Sequence, residues 1–436
     1  MAKLALKGGT PVRASDNLFP EYNTMGDEER RAVTRVLDSG ILSGYFGAWS
    51  SQFYGGPEVQ AFESEWAKKF GVKHAVAMNS ASSGLVVALG ALGIEPGDEV
   101  IVTPLSMCIS ATAPLWYGAV PVFADIEPEY FCIDPQSVEK VITSRTKAII
   151  AVDICGQSHD VDAINAIAKK HGLKVIADTA QSPGARYKGA YAGTLSDIGV
   201  YSLNYHKHIH TGEGTLVVTN DDKLAERLQL IRNHAEAVVE DKGVTDTVNM
   251  VGQNLRMLEL QAAIGRAQLQ KLDSLIVARQ KNCSYLEERL RDMPGIRVAP
   301  TRPDATHVYY VYPFLFDEDV VGVPRDIFVQ AIAAELPETK LRRREGALIN
   351  AHFGKPLYQF PIFRQQIAFG SHGYPFKSPF YKGKANYERG ICPVSERLYE
   401  SSLFVTEMMR PGMSTKDLDD VVEAFHKVYR HRDELR

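Results

Sequence analysis

Residues 146–178 read TKAIIAVDICGQSHDVDAINAIAKKHGLKVIAD. Two short β-rich runs, TKAIIAVDI and KVIAD, enclose DVDAINAIAKKHG, whose apolar residues recur at helical spacing and which stops at a glycine. That order predicts a strand, a crossover helix and a second strand parallel to the first. Both runs are apolar throughout, as strands covered on two faces are. The pattern continues outward from about Pro57 to Asn220, through HAVAM, EVIVTP and VPVFADI on one side and IGVYSL and TLVVTN on the other, with SGLVVALGAL as a helical stretch. The expected fold is therefore α/β, a largely parallel sheet between helices, with ligand-binding loops along the carboxyl edge of the strands.

Beyond Arg256 the texture changes. RMLELQAAIGRAQLQKLDSLIVARQKNCSYLEERLRDM is one long helical pattern that places Leu258, Ala262, Leu269, Leu272 and Ile276 on one face. It is long enough to link a large domain to a smaller one. A strand signal follows in HVYYVYPFLF, then helices in DIFVQAIAAEL and DLDDVVEAFHKVYRHRDEL. Between them, from about Ala351 to Pro393, lies an irregular aromatic segment rich in glycine and proline, the kind of stretch expected near a substrate or as a lid. The first fifty-odd residues read as an arm and one amphipathic helix, DEERRAVTRVLDSG, stopped by Gly40. These divisions place an arm and a large α/β domain in residues 1–270 and a smaller α+β domain in 271–436.

Composition bounds the function. A chain of 436 residues exceeds one compact core, and 45% hydrophobic with 23% charged residues reads as a soluble globular protein. The net charge of −4 without blocks of like charge recommends neither nucleic acid nor an anionic membrane as partner. No apolar run approaches the ~20 residues of a bilayer span, and MAKLALKGGTPVRASD lacks the apolar core of a secretion signal. The five cysteines are odd in number, dispersed and free of any CxxC pair, which points to reduced thiols, a cytoplasmic setting and no zinc site.

Three segments carry chemistry. The first is YSLNYHKHIHTGEGT, residues 201–215, open to reading as a histidine metal site, a covalent site on Lys207 or a basic loop. In an extended segment His206, His208 and His210 would point to one side and Lys207 to the other. A metal needs further ligands that no partner motif supplies, so the histidines are expected as polar loop residues near an anionic ligand. The second is Asp178, at the end of a buried run, where a carboxylate requires a charged partner. The protonated ring nitrogen of pyridoxal phosphate is such a partner, and a helix N-cap is the plain alternative. The third is MNSASSGLVVALGAL, which places Ser80, Ala81, Ser82 and Ser83 at the opening of a helix, where free N–H groups favour a phosphate. Phosphate cradle, aspartate and lysine, in that order along the chain, form a more specific signal than any one of them.

SASSGLVVALGALGIEPGDEVIV, GAVPVFADIEPEYFCIDP, KVIADTAQSPGARYKG, the TGEG after Lys207, RNHAE, GQNLRMLELQAAIGRAQLQKLD, HVYYVYP and CPVSERL together resemble the DegT/DnrJ/EryC1/StrS family of sugar aminotransferases, pyridoxal-phosphate enzymes of fold type I, over about Leu37 to Leu418. The resemblance implies that Lys207 holds the cofactor covalently and shuttles a proton, and that the cofactor cycles through pyridoxamine phosphate. It implies Asp178 at the pyridine nitrogen, Gln181 beside the ring hydroxyl, and Ala81, Ser82 and Ser202 at the phosphate. Asn254 would reach the phosphate of a second subunit, which implies a homodimer with shared active sites. The implied reaction moves an amino group from glutamate or glutamine onto a keto group of a sugar, usually nucleotide-linked, or of a cyclitol, in amino-sugar, polysaccharide or natural-product biosynthesis.

Three departures bear on the site. Met107, next to Cys108, stands where relatives carry an aromatic that stacks on the pyridine ring. Thr215 replaces a glycine. ILSGYFGAWSSQFYGGPEV and the 351–393 stretch are enlarged and aromatic, with Tyr45, Phe46, Trp49, Tyr54, Tyr374, Phe376 and Tyr381 open to either packing or contact. Substrate contacts are sought at His206, His208, His210, Tyr45 and Tyr310. Arg342, Arg343, Arg344 and Lys355 are available to a donor carboxylate or a diphosphate, or are a solvated face. Other readings are a sugar dehydratase on the same fold, whose members replace the lysine by histidine, a non-catalytic sensor of cofactor or sugar, and a histidine-metal enzyme.

Overall fold

The structure, a computed structural model, describes residues 3–339 and 348–436. Arg342, Arg343 and Arg344 lie outside the described residues. A seven-stranded sheet carries β1 (His74–Met78), β2 (Glu99–Val102), β3 (Val120–Phe123), β4 (Thr146–Val152), β5 (Lys174–Asp178), β6 (Ile198–Ser202) and β7 (Thr215–Thr219). Their spatial order is β1-β7-β6-β5-β4-β2-β3, and β7 alone runs against the rest. Six carboxyl ends therefore share one edge, as the alternating sequence predicts.

The continuous apolar runs have a simple cause. Val100, Val102, Ala148, Ile150 and Val152 enter the buried cluster on one face, whereas Ile101, Ile149, Ala151 and Val175 enter the cluster on the other. The side chains alternate, but both faces are dry. The helices include α1 (Asp27–Ser39), α2 (Pro57–Phe70), α3 (Ala81–Ala91), α4 (Ile109–Thr112), α5 (Glu259–Leu290) and α6 (Thr415–Arg430). At the start of α1, Glu29 accepts the Gly26 N–H at 2.7 Å, and Gly40, with φ of 70°, ends the helix in a left-handed turn.

Helix α5 spans two cores, as its length suggests. Ala262, Leu269, Leu272 and Ile276 pack under the large sheet with Leu216 and Val218, whereas Cys283, Leu286 and Leu290 belong to a second core. Leu258 departs from the expected stripe: it precedes the first helical turn and is 44% exposed. The second core covers an antiparallel sheet of β8 (Ile296–Val298), β9 (Tyr312–Phe316), β10 (Ile349–Asn350) and β11 (Leu403–Thr406), ordered β8-β9-β11-β10. There Phe314 and Phe404 stack at 4.9 Å beside Phe425 of α6.

Two expectations need correction. The strand read across HVYYVYPFLF begins only at Tyr312, because the preceding backbone is engaged elsewhere: Val308 N–H donates to Gly156 O at 2.8 Å and Val311 N–H to Cys155 O at 3.3 Å. The aromatic stretch 351–393 is irregular as expected, yet its body is anchored at the β2–β3 edge. Tyr381 donates to Glu99 at 3.0 Å, Tyr387 to Pro121 O at 2.8 Å, and Leu357 N–H to Pro104 O at 2.9 Å. Of this stretch, Phe353 and Gly354 line the cavity described next.

Candidate active site

A cavity of about 520 Å³ opens at the carboxyl edge of the large sheet. Its floor begins where β1 ends and the chain turns into α3. Ser80 caps that helix, its Oγ accepting the Ser83 N–H at 3.2 Å, while Ala81 and Ser82 of the first turn face the cavity. Unpaired N–H groups at the positive end of an eleven-residue helix suit a phosphate.

Asp178 ends β5 and is 4% exposed. Its Oδ1 accepts the Ala180 N–H at 3.2 Å, and its Oδ2 accepts from Ser110 Oγ at 3.0 Å. Burial pushes the carboxyl above its ordinary range, while the Ser110 hydroxyl, the Ala180 N–H and the Lys207 ammonium pull the other way. Such a carboxylate calls for a cationic partner on its open side. Gln181 commits its amide oxygen to the Cys155 N–H at 2.8 Å, which leaves its NH₂ as a donor to the cavity.

After Ser202 the chain leaves the sheet and turns, with Lys207 N–H donating to Asn204 O at 2.9 Å. Asn204 closes the loop by donating its side-chain amide to Glu213 at 2.9 Å. Lys207 Nζ lies over the Tyr310 ring, 4.2 Å from its centroid. Buried Arg279 fixes that ring's backbone, donating to Tyr309 O at 2.9 Å and to Tyr310 O at 3.4 Å. From the N-terminal arm Tyr22 donates its hydroxyl to His208 O at 2.6 Å.

The turn overturns the expected histidine ladder, which required an extended segment. His206 N–H is bound by Asn204 Oδ1 at 3.2 Å, and the three rings diverge. His206 lines the cavity. His208 is fully buried, its Nε2 bonded to Val308 O at 2.8 Å, and burial with nearby Arg279 holds its pKa well below the ordinary value. His210 is half-buried beside Gln268 and Glu29, and burial lowers it too. Among the described residues no group of three or more histidine, cysteine, aspartate or glutamate side chains is arranged to hold a metal.

The cavity brings together Ala81, Ser82, Met107, Asp178, Gln181, Ser202, His206, Lys207 and Tyr310. Met107 is 68% exposed at its wall. His208, His210, Tyr45 and Asn254 lie outside it. Tyr45 is partly buried and packs against the guanidinium of Arg232, whose carbon stands 5.0 Å from the ring centroid. Asn254 is exposed and bridges Asn233. Phe46, Trp49, Tyr54, Tyr374, Phe376, Tyr381 and Lys355 do not line the cavity within one chain. Ser106, Ser110, Asn204, Glu213 and Phe353 are additions to the expected set. Ser106 and Ser110 stand four residues apart, a helical spacing visible in PLSMCISATA, whereas nothing local to Tyr22 announces its partner 186 residues away.

A buried carboxylate lacking a full counter-charge, a helix terminus dressed with hydroxyls, an amide donor and a lysine amine converge on one cavity. Their chemistry fits the pyridinium, phosphate, ring hydroxyl and aldehyde carbon of pyridoxal phosphate. The profile of the DegT/DnrJ/EryC1/StrS aminotransferase family matches residues 24–375. The spore coat polysaccharide biosynthesis protein SpsC of Bacillus subtilis (strain 168) is 32% identical over 425 residues, covering 96% of this chain and 99% of its own. L-glutamine:2-deoxy-scyllo-inosose aminotransferase of Streptoalloteichus tenebrarius is 32% identical over 448 residues, covering 99% of both. The crystal structure of DesI in the presence of its TDP-sugar product superposes with a TM-score of 0.80 at 26% identity, covering 99% of this chain and 97% of that one.

Proposed function

The chain belongs to the DegT/DnrJ/EryC1/StrS aminotransferase family, and on that premise we propose that it moves an amino group from glutamine or glutamate onto a keto carbon of a sugar or cyclitol, with pyridoxal phosphate seated in the cavity beside Lys207. Pyridoxal phosphate, when bound, supplies the electron sink that lets the carbon beside nitrogen give up a proton. The protein supplies the rest. Asp178 would hold the ring nitrogen protonated, Ala81, Ser82 and Ser202 would hold the phosphate, and Gln181 would donate toward the ring hydroxyl. Lys207 Nζ would hold the group and would take up and return the proton. The observation that carries this reading is the convergence of Asp178, Lys207 and the opening of α3 on one cavity.

Relatives named for a cyclitol ketone and a TDP-sugar support both acceptor classes. The lysine between His206 and His208 favours amino transfer over dehydration. The pairing of chains rests on exposed apolar surface near Asn254: Ile41 is 52% exposed, Leu42 44% and Val251 80%. A homodimer would cover it and bring Asn254 to the neighbouring phosphate site. Among the described residues no helix is long and apolar enough to cross a membrane; the cytoplasmic setting we propose rests on the five dispersed cysteines without a CxxC pair. The domain boundary we propose lies near residue 270, within α5.

The test is turnover of a nucleotide-linked keto sugar and of a cyclitol ketone, each with glutamine and with glutamate. Amination of one class, absent in Lys207→Ala, is the expected result. Ligand binding with no amination of either class would turn the reading toward a sensor.

A further inference from the structure

Behind the cavity wall, two serines of the α4 region lead to Asp178. Ser110 is fully buried and donates from Oγ to Asp178 Oδ2 at 3.0 Å. Its Oγ also lies 2.8 Å from Ser106 Oγ, and Ser106 lines the cavity. A serine hydroxyl has one hydrogen. An ionised Asp178 can only accept, so the hydrogen of Ser110 is committed to it. The Ser106–Ser110 bond must then draw its hydrogen from Ser106, and Ser106 faces the cavity with lone pairs alone. The charge on Asp178 thus sets the direction of the chain.

We propose that Ser110 is a positioning residue that keeps Asp178 a carboxylate, and that Ser106 meets the bound ligand as a hydrogen-bond acceptor for a hydroxyl or ammonium hydrogen. The proposal rests on the cavity being a pyridoxal-phosphate site. The other groups around Asp178 do not substitute for Ser110. Lys207, from the loop after β6, would change its bonding during turnover, and His206 and Glu213 line the cavity without a bond to Asp178 among the described contacts. Asp153, just past the end of β4 and bound to His159 Nδ1 at 2.6 Å, repels a second negative charge. The Ala180 N–H is the other fixed donor, on the other carboxylate oxygen. Ser106 as acceptor would favour a ligand hydroxyl or amine at that wall over a carbonyl or carboxylate oxygen.

The experiment uses the full-length protein stripped of cofactor and titrated with pyridoxal phosphate, alongside the pH dependence of the visible band once bound. Ser110→Ala is expected to weaken cofactor binding about tenfold, as loss of a hydrogen bond to a charged group does, and to move the band transition to higher pH. Ser110→Thr, which keeps the hydroxyl, should restore both. Ser106→Ala leaves the Ser110–Asp178 bond in place, so cofactor affinity should stay within about twofold while KM for the acceptor rises. Wild-type affinity and pH profile in Ser110→Ala, or failure of Ser110→Thr to restore them, would overturn the proposal. Should Ser110→Ala not fold, Ser110→Cys keeps the volume with a weaker donor and carries the same expectation. A wild type that takes up no pyridoxal phosphate would fail the functional reading instead.

Discussion

Lys207 Nζ stands over the face of Tyr310, 4.2 Å from the ring centroid. An aromatic face attracts an ammonium without holding it by a directed hydrogen bond, so the amine is aimed yet free to react. The ring is itself fixed by Arg279 through the carbonyls of residues 309 and 310.

Tyr310→Leu removes that support, worth about 1–2 kcal/mol in a partly desolvated site, and should lower kcat about 5- to 30-fold. Tyr310→Phe keeps the ring and should stay within about twofold. Steady-state kinetics of the two variants decide it, since equal losses in both would place the hydroxyl, and not the face, in the role.

Asp178→Asn leaves the shape of the cavity and removes its charge. Loss of a buried charge partner costs about 2–5 kcal/mol, so cofactor dissociation should rise at least about 30-fold. Wild-type affinity should also depend on pH with a definite sign. Burial raises the Asp178 carboxyl, so acidification protonates it earlier than an ordinary aspartate and releases the pyridinium. Affinity measured from neutral pH downward should fall in the wild type, and the Asn variant should show a flatter profile.

Met107→Phe tests the missing aromatic. Met107 lines the cavity with 68% of its surface exposed, so a larger ring meets no buried neighbour. Aromatic stacking adds about 0.5–1.5 kcal/mol, which predicts cofactor binding tightened about 2- to 10-fold. Unchanged or weaker binding in a cofactor titration would show that Met107 does not lie over the ring.

The strands, the parallel sheet and the trio of Asp178, Lys207 and the opening of α3 were legible because each rests on a local pattern. Apolar runs with crossover helices fix the sheet, and its parallel strands bring their carboxyl ends together wherever the intervening residues fall. The fate of the histidines was not legible, because alternation in sequence is informative only if the backbone is extended, and Asn204 turns it. Equally hidden was the anchoring of 351–393 on the β2–β3 edge, which depends on Tyr381 and Tyr387 finding Glu99 and Pro121 more than 260 residues away. The strand misread over His307–Val311 failed for a related reason: its backbone pairs with Cys155 and Gly156, a choice made by tertiary contact.

His307 predicts how the fold responds to acid. Burial pushes its imidazole from 6.5 down to about 3, and its Nδ1 accepts the Tyr309 N–H at 2.9 Å, which only the neutral ring can do. The unfolded chain binds a proton near pH 6.5 and the folded chain does not. Stability is therefore complete above that pH and is lost on acidification toward about 3, by about 1.4 kcal/mol per pH unit. His208, lowered by burial in the same direction, adds to the loss. Thermal unfolding should show Tm falling from pH 6.5 to 5, and His307→Asn should flatten that dependence even where it lowers Tm overall.

Attachment of the cofactor at Lys207 can be read directly. Wild type and Lys207→Ala, each loaded with pyridoxal phosphate, are reduced with borohydride, digested and mapped by mass spectrometry. A visible band should bleach in the wild type and a phosphopyridoxyl group should appear on the peptide containing Lys207, with none fixed in the variant. An adduct on a different lysine, or the same adduct in Lys207→Ala, would contradict it.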